Sequence, residues 1–150
     1  MLLLSLKDIT GEDWMLLPIT LTMAAAAALL NIWLAIRCGM TRVKQKVMVG
    51  DGGNPVMLAR MRAQANFVEY APFFLILLGL VELGDGSAHW LWWAGIVFIL
   101  ARIVHALGMD RPAPNAFRAG GIFLTLLVII VLAVAAIRLA YTAGQPVMLG

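Results

Sequence analysis

Four apolar segments, each long enough to cross a lipid bilayer as a helix, constrain the fold of this chain more than any other feature. Their approximate limits are residues 14–36, 57–83, 89–107 and 115–141. About 20 apolar residues span the hydrocarbon core as a helix, and only helices and closed barrels satisfy all backbone polar groups there. The segments predict an all-α integral membrane protein, a bundle of four transmembrane helices in one domain over residues 1–150.

Composition supports the membrane assignment and argues against other classes. The chain is 63% hydrophobic and 13% charged, with a mean hydropathy of +0.94, whereas a soluble domain is about half apolar and a quarter charged. The net charge is +3, but no basic run is interleaved with aromatic residues, so we expect no nucleic-acid partner. The single cysteine, Cys38, excludes an intrachain disulfide, and no cysteine–histidine pattern predicts a metal site.

The distribution of charge between the segments predicts the orientation. The first connection, residues 37–56, carries four cations against one acid, and the connection at 108–114 is also net positive. The positive-inside rule places both connections in the cytoplasm and both termini outside it, in what we expect to be a bacterial inner membrane. The lead before residue 14 contains too few apolar residues to form a signal-peptide core, so we expect it to be retained. Trp90, Trp92 and Trp93 predict an aromatic belt at the non-cytoplasmic interface.

A polar stripe lies at the start of the second segment. On a helix, Arg62, Asn66 and Glu69 stand at i, i+4 and i+7 and share one face, with Tyr70 at its edge. Ionisable groups at membrane depth are costly and by default indicate a site. A purely structural alternative is that Arg62 extends to the headgroups while Glu69 is neutralised by an arginine of a neighbouring helix.

A second polar group closes the third segment, where Arg102, His105 and Met109 stand at i, i+3 and i+7. In an up-and-down bundle it meets the stripe on the cytoplasmic side. Arginine binds carboxylates in a forked manner, and a carboxylate binds an ammonium group. The combination suits a small zwitterion with more than one carboxylate. A nearby cation favours the thiolate form of a thiol, and the apolar helix faces suit a lipophilic second substrate.

Two motifs carry a resemblance to a known family. They are Arg62-Ala-Gln-Ala-Asn66-Phe-Val-Glu69-Tyr70-Ala-Pro72 and Ala101-Arg102-Ile-Val-His105-Ala-Leu-Gly108. Together with the four-segment length, they resemble the membrane-associated proteins in eicosanoid and glutathione metabolism (MAPEG), which include microsomal glutathione transferases and leukotriene C4 synthase. The first connection, with Gly50-Asp51-Gly52-Gly53, is most similar to the bacterial branch of that family.

The resemblance implies a homotrimer that holds glutathione as a co-substrate at each subunit interface, near the cytoplasmic side. It implies thiolate attack on a lipophilic electrophile, or reduction of a lipid hydroperoxide. The thiolate-stabilising arginine would be Arg42 as first choice and Arg37 as second. The residues implied in holding glutathione are Arg62, Asn66, Glu69, Tyr70, Arg102, His105 and Arg118.

The chain departs from the family pattern at two positions and leaves two other functions open. His105 and Met109 stand where better-studied members carry tyrosines; a histidine can donate a hydrogen bond and a methionine cannot. One alternative is therefore a non-enzymatic trimer that binds a lipid or an anionic metabolite through the same arginines. Another is a small cation-coupled exporter that uses Glu69 as its membrane carboxylate, although the surrounding arginines would repel cations.

Overall fold

Four helices make up the described part of the chain, which is residues 16–143 in this computed structural model. Every regular element among these residues is a helix, and all four are long and apolar enough to cross a membrane. The predicted all-α membrane bundle is confirmed at this level. The lead before residue 14 and the tail beyond residue 143 lie outside the described residues. The helices are α1 (Pro18–Gln45), α2 (Pro55–Asp85), α3 (His89–Met109) and α4 (Ala116–Ala143).

The helices alternate in direction, so the bundle has two distinct ends. We call the end that holds residues 37–62 and 102–118 the basic end, because most of the cations lie there. At the other end, the start of α1 contacts the end of α2, where the Ile19 backbone N–H donates to Glu82. This arrangement brings the polar stripe of α2 and the polar group of α3 to the same end, as the order of the segments predicts.

Helix α1 continues past the point where its apolar run stops. The predicted range of the first connection, residues 37–56, is wrong, because the helix runs on to Gln45 and only residues 46–54 connect it to α2. That stretch contains no proline and only the isolated Gly39, which a helix tolerates. The helix ends where Lys46 adopts a left-handed conformation, with φ of 54°. At 1.5 Å per residue, its 28 residues measure about 42 Å, more than the roughly 30 Å of a hydrocarbon core.

Local signals explain the limits of α2. Its N-cap residue, Asn54, accepts hydrogen bonds from the backbone N–H groups of Val56 and Met57, both at 3.0 Å. Pro55 occupies the first helical position, where the backbone N–H that proline lacks would have no partner within the helix. The helix runs through Pro72 to Asp85 as one element, so this internal proline does not end it.

The core lies along the bundle axis and consists of large apolar side chains. Phe74 of α2 and Phe98 of α3 are fully buried and stack with their ring centroids 3.8 Å apart. The outward faces carry exposed apolar residues such as Ile76 and Ile130, both 59% exposed. Burial of one apolar stripe and exposure of another is the pattern that a membrane bundle requires, because lipid covers the outer stripe.

Helices α3 and α4 approach each other closely at the basic end through two glycines. A Cβ atom at Gly108 would lie 2.5 Å from the backbone nitrogen of Arg118, and one at Gly121 would lie 2.7 Å from the carbonyl oxygen of Ala101. Small residues of this kind let helix backbones meet in a membrane. The contact fixes the start of α4 against the end of α3, where the polar groups converge.

Candidate functional site

An open pocket of about 440 Å³ lies between α2, α3 and the start of α4 at the basic end. Two arginines and no carboxylate line it, so the pocket favours an anionic group. Four of the residues that the resemblance implies in holding glutathione lie around this one pocket; their binding role stays a prediction. The lining residues are Pro55, Leu58, Ala59, Arg62, Asn66, His105, Met109 and Arg118.

The three helices place these side chains by simple register. Arg62 and Asn66 are one turn apart on α2, as are His105 and Met109 on α3, so each pair faces the pocket from one wall. The position of α4 is set by Asn115, whose side-chain oxygen accepts from the Arg118 N–H at 2.9 Å while its amide donates to the Gly108 carbonyl oxygen at 3.0 Å. This cap brings Arg118 to the mouth of the pocket.

His105 presents an acceptor to its surroundings. Its Nδ1 lies 3.0 Å from the carbonyl oxygen of Arg118. A carbonyl oxygen only accepts, so the ring proton is on Nδ1, and in the neutral ring Nε2 is then an acceptor. Nε2 is buried and has no hydrogen-bond partner among the described residues. A histidine at this position suggests a hydrogen-bond donor for a ligand. In the structure its Nδ1–H already donates to the carbonyl oxygen of Arg118.

Arg102 lies beneath the pocket and does not line it. The residue is 1% exposed, and its Nη1 is 3.5 Å from the hydroxyl of Thr125. The guanidinium sits over the ring of Tyr70, 5.6 Å from the centroid, and Glu69 is close enough to attract it electrostatically. Tyr70 is half-buried and Glu69 exposed. The pocket lining thus excludes three of the residues that the resemblance implies in holding glutathione, which are Glu69, Tyr70 and Arg102.

Neither arginine predicted to stabilise a thiolate lines this pocket within one chain. Arg37 points to the α3–α4 connection and forms an ion pair with Asp110, with its guanidinium 4.6 Å from the centre of the Trp33 ring. Arg42 donates to the Gly50 carbonyl oxygen at 2.9 Å and lines a separate cavity at the end of α1. Because α1 stays helical through both positions, its register determines where the two arginines face.

A partly exposed polar cluster at the basic end includes the half-buried Arg60 and the exposed Asp110, which no sequence motif singles out. Arg60 Nη1 donates to the hydroxyl of Thr41 at 2.6 Å, and its Nε lies 3.7 Å from an Asp110 carboxylate oxygen. The one available signal is that Asp110 is the only acid in a connection next to many cations. Among residues 16–143, no group of three acidic, histidine or cysteine side chains is arranged to hold a metal ion.

Comparison with known proteins identifies the family of this chain. The model of the MAPEG family matches residues 20–138, which covers all but the ends of the described bundle. The chain belongs to the MAPEG family. It is also similar to the inner membrane protein YecN of Escherichia coli strain K12, with 27% identity over 97 residues, 65% of this chain and 74% of the relative. YecN from E. coli O6:H1 matches over the same shares.

Membership in the MAPEG family confirms the resemblance based on the two motifs. This MAPEG protein is an integral membrane protein with four spanning helices. Both motifs fall within the matched residues, and the structure brings Asn66 of the first and His105 of the second to one pocket.

Proposed function

We propose that this MAPEG protein is a glutathione-dependent transferase or peroxidase whose thiol substrate binds in the pocket at the basic end. The observation that supports the proposal is that Arg62, Asn66, His105 and Arg118 surround one pocket at the end of a membrane bundle. Such a pocket admits a polar tripeptide from the aqueous side, while a lipophilic partner arrives along the exposed apolar helix faces. We place it in a bacterial inner membrane with the basic end in the cytoplasm.

Each polar group suits one part of glutathione. Arg62 and Arg118 suit the two carboxylates, because guanidinium groups bind carboxylates through two parallel hydrogen bonds. The Asn66 amide, which lines the pocket, suits the peptide backbone. Glu69, one turn beyond Asn66, is the carboxylate that we assign to the ammonium group.

The chemistry needs a thiolate. In the transferase reaction its sulfur bonds to an electrophilic carbon while a leaving group departs with its electron pair. In the peroxidase reaction two glutathione molecules reduce one hydroperoxide to an alcohol and water, and become a disulfide. Since Arg42 does not line the pocket of its own chain, we propose that a homotrimer places Arg42 of one subunit near the pocket of another.

Glutathione binding to the detergent-purified protein, measured by calorimetry, tests this function. We expect Arg62→Ala to weaken binding by about tenfold or more, because one charge-assisted pair contributes about 1.5–3 kcal/mol. Arg111→Ala is the matched control: Arg111 is exposed and stacks on Phe117, with 4.0 Å between guanidinium and ring centre, outside the pocket. An unchanged affinity in Arg62→Ala, or no binding to the folded wild type, would refute the proposal.

A second candidate function is binding without turnover, of a lipid or an anionic metabolite. Two observations favour it: Met109 lines the pocket without a donor, and Arg37 is held by Asp110. Turnover of an activated aryl chloride with glutathione separates the two functions. Conjugation above the uncatalysed rate that disappears in Arg42→Ala supports the transferase, whereas tight binding with no conjugation or peroxide reduction supports the non-enzymatic function.

A further inference from the structure

A second polar pocket lies at the end of the bundle opposite the basic end, where α2 and α4 finish side by side. Its volume is about 230 Å³. The close approach of the two helices depends on Gly84, where a Cβ atom would lie 3.1 Å from Leu139 Cδ1. We call it the Asp85–Arg138 pocket; its lining residues are Val81, Asp85, Ala135, Arg138, Leu139 and Thr142.

The pocket combines both signs of charge with an apolar floor. Asp85 and Arg138 are exposed at its mouth, whereas Val81 is fully buried beneath them. The hydroxyl of Thr142 donates to the carbonyl oxygens of Arg138 and Leu139, both at 3.1 Å. Its oxygen therefore remains an acceptor, like the Asp85 carboxylate. The guanidinium binds an oxyanion and the two oxygen acceptors bind an ammonium group, so the pocket suits a zwitterion.

The position of the pocket identifies the source of that zwitterion. Helix α3 begins at this end with Trp90, Trp92 and Trp93, of which Trp93 is 68% exposed. Tryptophans at the ends of spans lie at headgroup depth. Next to the pocket, Val134 and Ile137 of α4 are more than half exposed and offer an apolar surface for acyl chains.

We propose that the Asp85–Arg138 pocket binds the headgroup of a phosphatidylethanolamine, with the phosphate on Arg138 and the ammonium on Asp85 and Thr142. The proposal is independent of the glutathione pocket. A phosphatidylcholine headgroup has no N–H to donate to Asp85, and a phosphatidylglycerol headgroup has no cation for it. The pocket therefore selects phosphatidylethanolamine over both lipids.

Native mass spectrometry of the folded protein, titrated with the three lipids carrying identical acyl chains, tests this selection. We expect preferential retention of phosphatidylethanolamine. Arg138→Gln and Asp85→Asn should each lower its retention by about tenfold, as expected for the loss of one charge-assisted contact. The control Arg111→Gln removes an exposed arginine at the other end of the bundle and should leave retention unchanged. Equal retention of the three lipids, or full retention in either pocket variant, overturns the proposal.

A charge exchange sharpens the test. In the double variant Asp85→Arg, Arg138→Asp the two charges trade places. The lipid phosphate always lies closer to the glycerol than the ammonium does, so we expect no recovery of retention. Recovery would mean that the two residues only hold the helix ends together and that the lipid binds elsewhere, which overturns the proposal. Displacement of the lipid by an equal concentration of soluble phosphoethanolamine would overturn the proposal, because it would show that the pocket binds a soluble zwitterion rather than a lipid.

Discussion

Glu82 shows how one residue can satisfy a helix other than its own. It is 2% exposed, and its carboxylate accepts from the backbone N–H groups of Ile19 and Thr20 at 2.9 and 2.7 Å. The hydroxyls of Thr20 and Ser87 also donate to it, at 2.7 and 2.8 Å. Helix α1 has no side-chain cap of its own at Leu17, so Glu82 supplies the negative charge that a helix N-terminus favours.

This contact leads to a prediction at the scale of a single residue. Glu82→Gln should destabilise the bundle by about 1–3 kcal/mol, because hydrogen bonds to a charged acceptor are lost or weakened in a buried site. A lower midpoint of thermal unfolding in detergent would show it. Asp51→Asn is the matched control, since Asp51 lies in the connection between α1 and α2 and asparagine keeps the oxygen that accepts from the exposed Gly53 N–H, so the midpoint should change little. Equal midpoints for both variants would contradict a capping role.

At the same scale, part of the site follows from sequence and part does not. The spacing of Arg62 and Asn66 predicts a shared face, and both line the pocket. The sequence could not predict that Arg37 pairs with Asp110, because that contact depends on the rotation of α1 against the α3–α4 connection. Glu82 stands in the sequence as a charge beside a turn, and only the packing of α1 against α2 shows that it is buried.

At the scale of helices, the contact between α3 and α4 determines the shape of the basic pocket. A Cβ atom at Gly121 would lie 2.7 Å from both the backbone nitrogen and the Cβ atom of His105, so the two helices touch next to a residue that lines the pocket. Its neighbour Gly120 has open space around it. Two adjacent glycines of one helix therefore have different roles.

That difference gives a matched pair of variants. Gly121→Ala should destabilise the bundle by about 1–3 kcal/mol, because an added methyl group in a filled contact forces the backbones apart. Gly120→Ala should be neutral or slightly stabilising, since alanine favours a helix more than glycine. Thermal unfolding of both variants in detergent measures the contrast. A Gly121→Ala protein as stable as Gly120→Ala would show that α3 and α4 are not closely packed there.

The limits of the helices follow from local chemistry only where a breaker or a cap is visible. The structure begins α2 at Pro55, after the N-cap residue Asn54, two residues before the start at residue 57 that the apolar run predicts. The apolar run of α1 predicts a helix end at Ile36, but the helix continues to Gln45. Hydropathy reports where a helix leaves the lipid, whereas a helix ends where its backbone turns, here at Lys46.

At the scale of the whole molecule, the separation of charge between the two ends predicts a fixed orientation. The opposite end holds Glu82 and Asp85, with Arg138 as its one arginine or lysine among the described residues. The basic end carries Arg37, Arg42, Lys44, Lys46, Arg60, Arg62, Arg111 and Arg118. Cytoplasmic connections are rich in lysine and arginine. The sequence alone predicts four apolar spans that alternate in direction. The contacts between these spans depend on side-chain packing, which the sequence does not show.

Labelling of single cysteines tests this orientation in intact bacterial cells. In a Cys38→Ala background, we expect Met48→Cys, at a position 89% exposed, to be protected from a membrane-impermeant maleimide, because the positive-inside rule predicts that its connection faces the cytoplasm. His89→Cys, at an exposed position of the opposite end, should be labelled. Lysed cells provide the control, in which both variants should react. The reverse pattern in intact cells would invert the proposed topology.

The two polar contacts at the ends of α1 both depend on residues that are synthesised much later than α1. One end of this helix is held by Glu82, 63 positions after Ile19, and the other by Asp110, 73 positions after Arg37. The ribosome delivers α1 first, yet neither partner exists until most of the chain has been made. Neither contact of α1 can therefore form before its partner is made: the Glu82 contact needs the end of α2, and the Asp110 contact needs the end of α3. In a chain whose synthesis stops before Asp110, the Arg37 end of α1 would lack its ion pair.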